Sequence, residues 1–173
     1  RNNIDCLVNF AAESHVDRSL DEPSSFFKTN ALGTLNLLNA SLEYSKTRYI
    51  HFHQISTDEV FGSLGKNEKP FSEKNQFQPN SPYSASKASA DHLVRAWHHS
   101  YGLNVTSSNC SNNYGPNQFH EKLIPLVIKS CLEESKIPIY GDGKNIRDWL
   151  FVDDHCSAIL KIINTAEFGE TYN

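Results

Sequence analysis

The sequence predicts an α/β fold, a mostly parallel and doubly wound sheet with helices on both faces. Short apolar runs of strand length alternate along the chain with longer segments whose apolar residues recur every three or four positions. Proline or a capping hydroxyl opens several of the longer segments, and glycine closes one of them. Residues 4–10 are apolar apart from Asp5 and Asn9, which predicts a buried strand entered almost at once. Pro23 opens a helix over 23–44 that places Phe26, Phe27, Leu32, Leu35, Leu38 and Leu42 on one side, and Gly33 within it predicts close packing. Residues 49–55 alternate as a strand. Ser81 and Pro82 read as the N-cap and first position of a helix that stops at Gly102. A strand over 104–110, a helix over 122–134, a short strand over 137–140 and a helix capped by Asp153 and ending near Thr165 complete the alternation. The polar stretch 62–82 reads as one long surface loop, a class of segment that often carries function.

Composition narrows the class of protein. The 173 residues carry 20 acidic and 16 basic side chains, a formal charge of -4, with the lysines dispersed rather than gathered in a stripe. A nucleic-acid partner is therefore not expected. The longest apolar runs, 4–10 and 123–128 with its Pro125, fall far short of the roughly 20 residues needed to span a bilayer, so no membrane role is expected. A domain of this size buries roughly 70% of the surface its unfolded chain exposes, so folding requires no staple. Cys6, Cys110, Cys131 and Cys156 lie far apart with no Cys-x-x-Cys pair and no signal peptide, which predicts scattered reduced thiols in a cytoplasm.

In parallel sheets of this kind ligands bind beyond the carboxyl ends of the strands. The corresponding residues, 10–14, 56–62 and 110–114, are rich in polar side chains that a core does not demand. Thr57, Asp58 and Glu59 follow a strand directly, where neighbouring side chains diverge. Two carboxylates pointing apart can serve two carbons of one substrate, one as acid and one as base; a solvated acidic turn is the plainer alternative. Tyr83 and Lys87 sit four apart near the start of a helix, so they share a face on which an ammonium can lower the phenol's pKa. That spacing arises readily by chance, and Tyr140 with Lys144 repeats it around Gly141 and Gly143, on a turn where the two need not face each other. His51 and His53 share one face of a strand, but no third ligand follows at useful spacing, so no metal is expected and both read as packed or hydrogen-bonded residues.

Three segments occur in one order: Asn-Phe-Ala-Ala-Glu-Ser-His-Val-Asp-Arg-Ser at 9–19, Thr-Asp-Glu-Val-Phe-Gly at 57–62 and Tyr-Ser-Ala-Ser-Lys at 83–87. With them the chain resembles the extended short-chain dehydrogenase/reductase superfamily. Asn-Asn-Tyr-Gly-Pro at 112–116, Glu-Lys-Leu-Ile-Pro at 121–125 and Arg-Asp-Trp-Leu at 147–150 continue the match over nearly the whole chain, and it is specifically to the dTDP-glucose 4,6-dehydratase family. The Thr-Asp-Glu triplet discriminates. Related epimerases usually carry small hydroxyl residues there, and GDP-mannose dehydratases have Ser in place of the Asp.

The resemblance implies a Rossmann-like sheet, with 1–115 a partial NAD-binding domain lacking its first strand–helix unit. Residues 116–173 would form part of a nucleotide-sugar-binding region with some segments returning to the sheet. It implies an NAD-dependent hydro-lyase acting on dTDP-glucose, in which NAD takes a hydride from carbon 4 and later returns it to carbon 6. Tyr83 would be the base at the 4-hydroxyl, Lys87 would hold its pKa down and Thr57 would bond the same oxygen. Glu59 would remove the carbon 5 proton while Asp58 protonates the departing 6-hydroxyl. Ala11, Ala12, Ser14 and Thr29 would lie beside the cofactor with Tyr83 and Lys87, and Asn113 near its nicotinamide end. Ser14, Asp58, Asn112, Lys122, Leu123 and Arg147 would hold the nucleotide-sugar, with Pro138, Ile139 and Tyr140 around the thymine. Arg147 has an independent case, because a guanidinium fork fits a diphosphate and Trp149 is placed to shield the contact. His15 falls in the cofactor-side loop, where a structural hydrogen bond is as good a reading as chemistry.

A homodimer is expected through the helices carrying Gly33 and Tyr83 to Trp97, and rhamnose supply is the commonest fate of the family's product. One departure matters. No Gly-x-x-Gly-x-x-Gly turn, the receiver of the cofactor pyrophosphate, occurs in the chain. Family members are longer at both ends, so the chain resembles the central part of one. The expectation is that the full-length protein is the enzyme and that this segment alone binds NAD weakly and turns over little. The alternatives are another nucleotide-sugar dehydratase or epimerase, or, for the isolated segment, an inactive dimerisation module.

Overall fold

The computed structural model describes residues 3–65, 67–137, 139 and 141–173. The chain divides into two compact units, one running to Cys110 and taking in Ile159–Asn173, the other Ser111–Ala158. The first unit is built on a four-stranded sheet in the order β1 (Cys6–Asn9), β2 (His51–Thr57), β3 (Val105–Cys110) and β6 (Thr171–Tyr172). Every pairing is parallel, with Asn9 opposite Gln54, Thr57 opposite Cys110 and Ser108 opposite Tyr172. The register therefore brings the ends of β2 and β3 level, while β1 stops opposite Gln54, and the polar residues that follow each strand gather at the carboxyl end of the sheet.

β1 is shorter and less buried than its apolar run implies. Ile4 and Phe10 are more than half exposed and the strand is half-buried along most of its length, because it stands at the edge of the described sheet. β2, in contrast, is buried at every position rather than on alternate faces. One of its faces supplies Phe52 to a core with Leu38, Ile50, Val94, Leu103 and Val105. On the other face His51 and His53 both bond the Thr106 hydroxyl, at 2.8 and 2.7 Å, and His53 also bonds Ser108 at 3.1 Å. Both histidines are thus hydrogen-bonded strand residues. Phe52 is fully buried, so Phe52→Ala is expected to cost about 3–5 kcal/mol in chemical denaturation, through lost transfer energy and a residual cavity.

A short helix that the sequence reading did not anticipate, α1 (Val16–Asp21), precedes the long helical stretch. That stretch starts at Pro23 as expected and runs through α2 (Pro23–Phe26), a π-helical segment (Phe27–Leu32) and α3 (Gly33–Ser45). The wider π turn shifts the phase of the side chains. Phe26 and Leu38 are buried, whereas Phe27 and Leu32, placed on the same stripe by an unbroken α period, are exposed. The close packing expected at Gly33 is not found within this chain: a methyl group there would meet its nearest neighbour, the Lys28 carbonyl oxygen, at 3.8 Å.

α4 (Pro82–Tyr101) follows its sequence signals at both ends. The Ser81 hydroxyl accepts from the Ser84 amide at 3.1 Å, the Ser84 hydroxyl accepts from the Ser81 amide at 3.0 Å, and Gly102 ends the helix in the left-handed region at φ 69°.

In the second unit β4 (Asn112–Tyr114) pairs in parallel with β5 (Trp149–Phe151), and α5 (Leu123–Leu132) lies between them in sequence. α6 (Val152–Thr165) starts at Val152, so Asp153 sits in its first turn rather than capping it. The strand expected over 137–140 does not form at 137 or 139, and Pro138 and Tyr140 lie outside the described residues. No helix among the described residues is long and apolar enough to cross a membrane. No disulfide forms among the described residues: Cys6 and Cys110 are half-buried thiols, and Cys131 and Cys156 are exposed.

Candidate active site

β2 ends at Thr57, and the chain turns at once into a single 3-10 turn, Asp58–Phe61. Thr57 makes this turn: its hydroxyl accepts from the Glu59 amide at 3.3 Å and donates to the Asp58 carboxylate at 3.3 Å. Val60 and Phe61 anchor the turn in a small core with Ala88, against which Phe71 and Phe77 pack. Gly62 then leaves with φ 96°, where a methyl group would come within 2.6 Å of the Gln78 carbonyl oxygen, so only glycine fits. The loop expected over 62–82 is thereby tied down near its end, with the Gln78 amide donating to the Val60 carbonyl at 2.8 Å. The Asp58 and Glu59 side chains stay half-exposed above this base.

α4 brings Tyr83 and Lys87 against the same strand end. Tyr83 is 9% exposed, its ring set edge-on to Phe26 at 6.4 Å and its hydroxyl hydrogen-bonded to Thr57. Lys87 is 4% exposed, and its ammonium donates to the Ile55 carbonyl at 2.7 Å. In this state the phenol is not held down. Burial pushes the Tyr83 pKa well above its ordinary value and the Glu59 charge adds to the rise, against a lowering by the Thr57 bond and a smaller rise from Cys110 and Asp58. The depression expected from Lys87 fails because its ammonium is turned to a backbone carbonyl. Burial in turn lowers the Lys87 pKa, with the Asp91 and Cys110 charges opposing.

Two polar residues that the sequence reading missed hold this arrangement. Asn30, 1% exposed, accepts from the Glu13 amide at 2.8 Å and donates to the Glu13 carbonyl at 3.0 Å and to the Ser86 hydroxyl at 2.8 Å. Ser86 in turn donates to the Tyr83 carbonyl at 2.6 Å. Asn30, on the π segment, therefore links the loop after β1 to the start of α4. Its signal was a polar residue four positions after the inward Phe26. The second, Asp91, lies one further helical turn beyond Lys87, 7% exposed, and accepts from the Ser56 hydroxyl at 2.5 Å. Its signal was the four-residue spacing repeated from Tyr83 through Lys87.

Burial pushes the Asp91 carboxyl up to about 6 from 3.8, against the Ser56 bond and the Lys87 charge, which lower it. A raised folded-state pKa contributes stability that is fully present below the unfolded value and lost as pH rises through the folded value. Between about pH 4 and pH 6 the Asp91 contribution to stability is therefore expected to fall by about 3 kcal/mol. Asp91→Asn is expected to remove that decline, as read by denaturant midpoints across the window.

The loop after β1 carries the expected cofactor-side residues. Asn9 is buried; its amide donates to Thr34 at 3.2 Å and Gln54 at 2.9 Å while its oxygen accepts from the Ala11 amide at 3.2 Å. Ala11 and Ser14 are exposed at the strand's carboxyl end, Ala12 is half-exposed, and Thr29 is exposed on the π segment. The first unit thus brings together Thr57, Asp58, Glu59, Tyr83 and Lys87. The second holds Asn112 and Asn113, half-buried on β4, Lys122, at the N-cap of α5, and Leu123, half exposed. Arg147 there is exposed and bonds the Ile146 carbonyl at 2.9 Å, and Trp149 lies edge-on to Tyr114. Ile139 is 73% exposed, and Pro138 and Tyr140 lie outside the described residues.

Comparison with known proteins gives one consistent picture. A family model described as GDP-mannose 4,6 dehydratase matches residues 1–173. A dTDP-glucose 4,6-dehydratase from Xanthomonas campestris pv. campestris is 56% identical over 98% of this chain and 50% of its own length. One from Escherichia coli is 51% identical over 98% of this chain and 51% of its own. The crystal structure of a dTDP-glucose 4,6-dehydratase from Streptomyces venezuelae, with NAD bound, superposes with a TM-score of 0.92 at 45% identity, covering 97% of this chain and 51% of that one. The chain spans about half the length of the curated relatives it matches.

Proposed function

Because the chain belongs to the GDP-mannose 4,6 dehydratase family, we propose that the protein carrying it is an NAD-dependent hydro-lyase converting dTDP-glucose to dTDP-4-keto-6-deoxyglucose. The observation that carries this reading is the convergence of Thr57, Asp58 and Glu59, on the turn after β2, with Tyr83 and Lys87 at the start of α4. The relatives named for dTDP-glucose support the nucleotide.

The residues present fit NAD. Lys87 is an ammonium with three donors, of which one goes to Ile55, which suits it to the vicinal hydroxyls of a ribose. The loop carrying Ala11, Ala12 and Ser14 stands at the carboxyl end of a parallel strand, with small side chains. Bound there, NAD accepts a hydride from carbon 4 of the sugar and returns one to carbon 6. Thr29 and Asn113 complete the set of side chains assigned to it.

Tyr83 takes the proton of the 4-hydroxyl as carbon 4 is oxidised, while Thr57 bonds the same oxygen. The phenol is poor at this in the state described; a bound cationic nicotinamide, or the Lys87 ammonium turned towards the site, would lower its pKa. The resulting ketone acidifies carbon 5. Glu59 removes that proton, and Asp58 gives its proton to the 6-hydroxyl, which leaves as water. Glu59 then returns a proton to carbon 5, so the sugar has lost one water, and passage of the proton held by Tyr83 to Asp58 through solvent resets both groups. Half-exposed carboxylates on successive residues of a 3-10 turn suit two different carbons.

Ser14, Asn112, Lys122, Leu123 and Arg147 are assigned to the nucleotide-sugar, with the segment 138–140 around the base; the first unit is the cofactor-binding part and the second belongs to the sugar-nucleotide region. We place the enzyme in a cytoplasm, where the four thiols stay reduced, as a homodimer joined through α3 and α4. A full-length protein containing this segment that sediments as a monomer at micromolar concentration would overturn the dimer. Product analysis of that protein with dTDP-glucose, GDP-mannose and UDP-glucose tests the function: turnover of dTDP-glucose to a 4-keto-6-deoxy sugar is expected, and preference for another nucleotide would refute the assignment of the base.

A further inference from the structure

We propose that Asp91 is a positioning residue for this reaction, the buried counter-ion that keeps Lys87 charged and registers α4 on β2. The inference rests on the reading of Lys87 given above. Two successive residues of β2 are tied to one face of α4, the Ile55 carbonyl to the Lys87 ammonium and the Ser56 hydroxyl to the Asp91 carboxylate, and the next, Thr57, acts on the Tyr83 phenol of the same face. Tyr83, Lys87 and Asp91 follow one another at intervals of four, one above the next along the helix. The strand register thus fixes the base, its cation and an acid in a single row.

Asp91 is an expensive residue in that row. One carboxylate oxygen, Oδ2, has the Ser56 hydroxyl, while Oδ1 is buried with no hydrogen-bond partner among the described residues. A half-satisfied buried carboxylate destabilises a core, and a neutral side chain of the same shape would fill the site at less cost. What the carboxylate offers in return is charge. Of the groups acting on Lys87, Asp91 is the stronger and the Cys110 thiol at the end of β3 the weaker; Asp58 and Glu59, on the 3-10 turn, act instead on Tyr83. A buried ammonium without such a neighbour loses its proton at lower pH, and with it the attraction for an oxyanion at the site.

The test uses a full-length protein containing this segment, as wild type, Asp91→Asn and Ser56→Ala. Asparagine keeps an acceptor for Ser56 and removes only the charge, so it leaves the fold intact. Two readouts are taken. NMR of the labelled Lys87 side chain without cofactor is expected to show its titration midpoint falling by about one unit in Asp91→Asn. Ser56→Ala, which strips the bond favouring the ionised acid, is expected to move it in the same direction by less. In turnover, the alkaline limb of the pH–rate profile of Asp91→Asn is expected to shift down by a similar amount, with KM for the nucleotide-sugar little changed. A Lys87 midpoint unmoved in both variants, or an alkaline limb that stays in place, would overturn the proposal. Absence of dehydratase activity in the wild type would instead refute the assigned reaction, while the Lys87 titration would still decide the role of Asp91.

Discussion

Tyr83→Phe is expected to abolish oxidation at carbon 4, lowering the rate of the first hydride transfer by at least about 10²–10⁴-fold. The ring remains edge-on to Phe26 and buried, so the fold is retained and the loss is chemical. Only the phenolic oxygen goes, and with it the group placed to take the 4-hydroxyl proton and the bond to Thr57. Removing a buried oxygen that burial and Glu59 hold protonated also relieves desolvation, so the variant is expected to be no less stable than wild type. Rapid mixing with dTDP-glucose, followed through the absorbance of the reduced nicotinamide, separates the two effects: normal accumulation of that signal would remove Tyr83 from the role.

Glu59→Gln is expected to act later. Glutamine keeps the size and polarity of the side chain but cannot accept a proton at carbon 5, so oxidation at carbon 4 proceeds while water is not lost. Reduced nicotinamide should accumulate in a single turnover, and the 4-keto-6-deoxy product should fall by about 10²–10⁴-fold. Because the Glu59 charge raises the Tyr83 pKa, its neutralisation should also let the phenol ionise at lower pH, moving the oxidation step's basic-group limb down. Elimination at the normal rate would show that another group removes the carbon 5 proton.

The sequence made the local signals readable and left the context-dependent ones obscure. Ser81, Pro82 and Gly102 delimit α4 because capping and left-handed backbone are properties of one or two residues. Thr57, Asp58, Glu59, Tyr83 and Lys87 stand out in the sequence because motif order survives without knowledge of packing, and the structure sets them against one strand end. The π segment was hidden, since an unbroken α period accounts for the same leucines and only the exposure of Phe27 and Leu32 betrays the phase shift. β4, β5 and β6 span two or three residues each, too few for periodicity to register. The direction of the Lys87 ammonium was out of reach for another reason: helical spacing says which face a side chain shares, while the nearest acceptor, the Ile55 carbonyl, belongs to a strand more than thirty residues earlier. Asp91 and Asn30 share a helix face with Lys87 and Phe26 by their four-residue spacing, but only tertiary packing shows that this face is buried and what each side chain bonds there.

The most direct measurement is conversion of dTDP-glucose by a full-length protein containing this segment, with NAD, in deuterated water, followed by NMR of the product. The account predicts a 4-keto-6-deoxy sugar carrying deuterium at carbon 5, because Glu59 takes that proton and returns one exchanged with solvent. A product epimerised at carbon 4 that retains its 6-hydroxyl and carries no deuterium would contradict it.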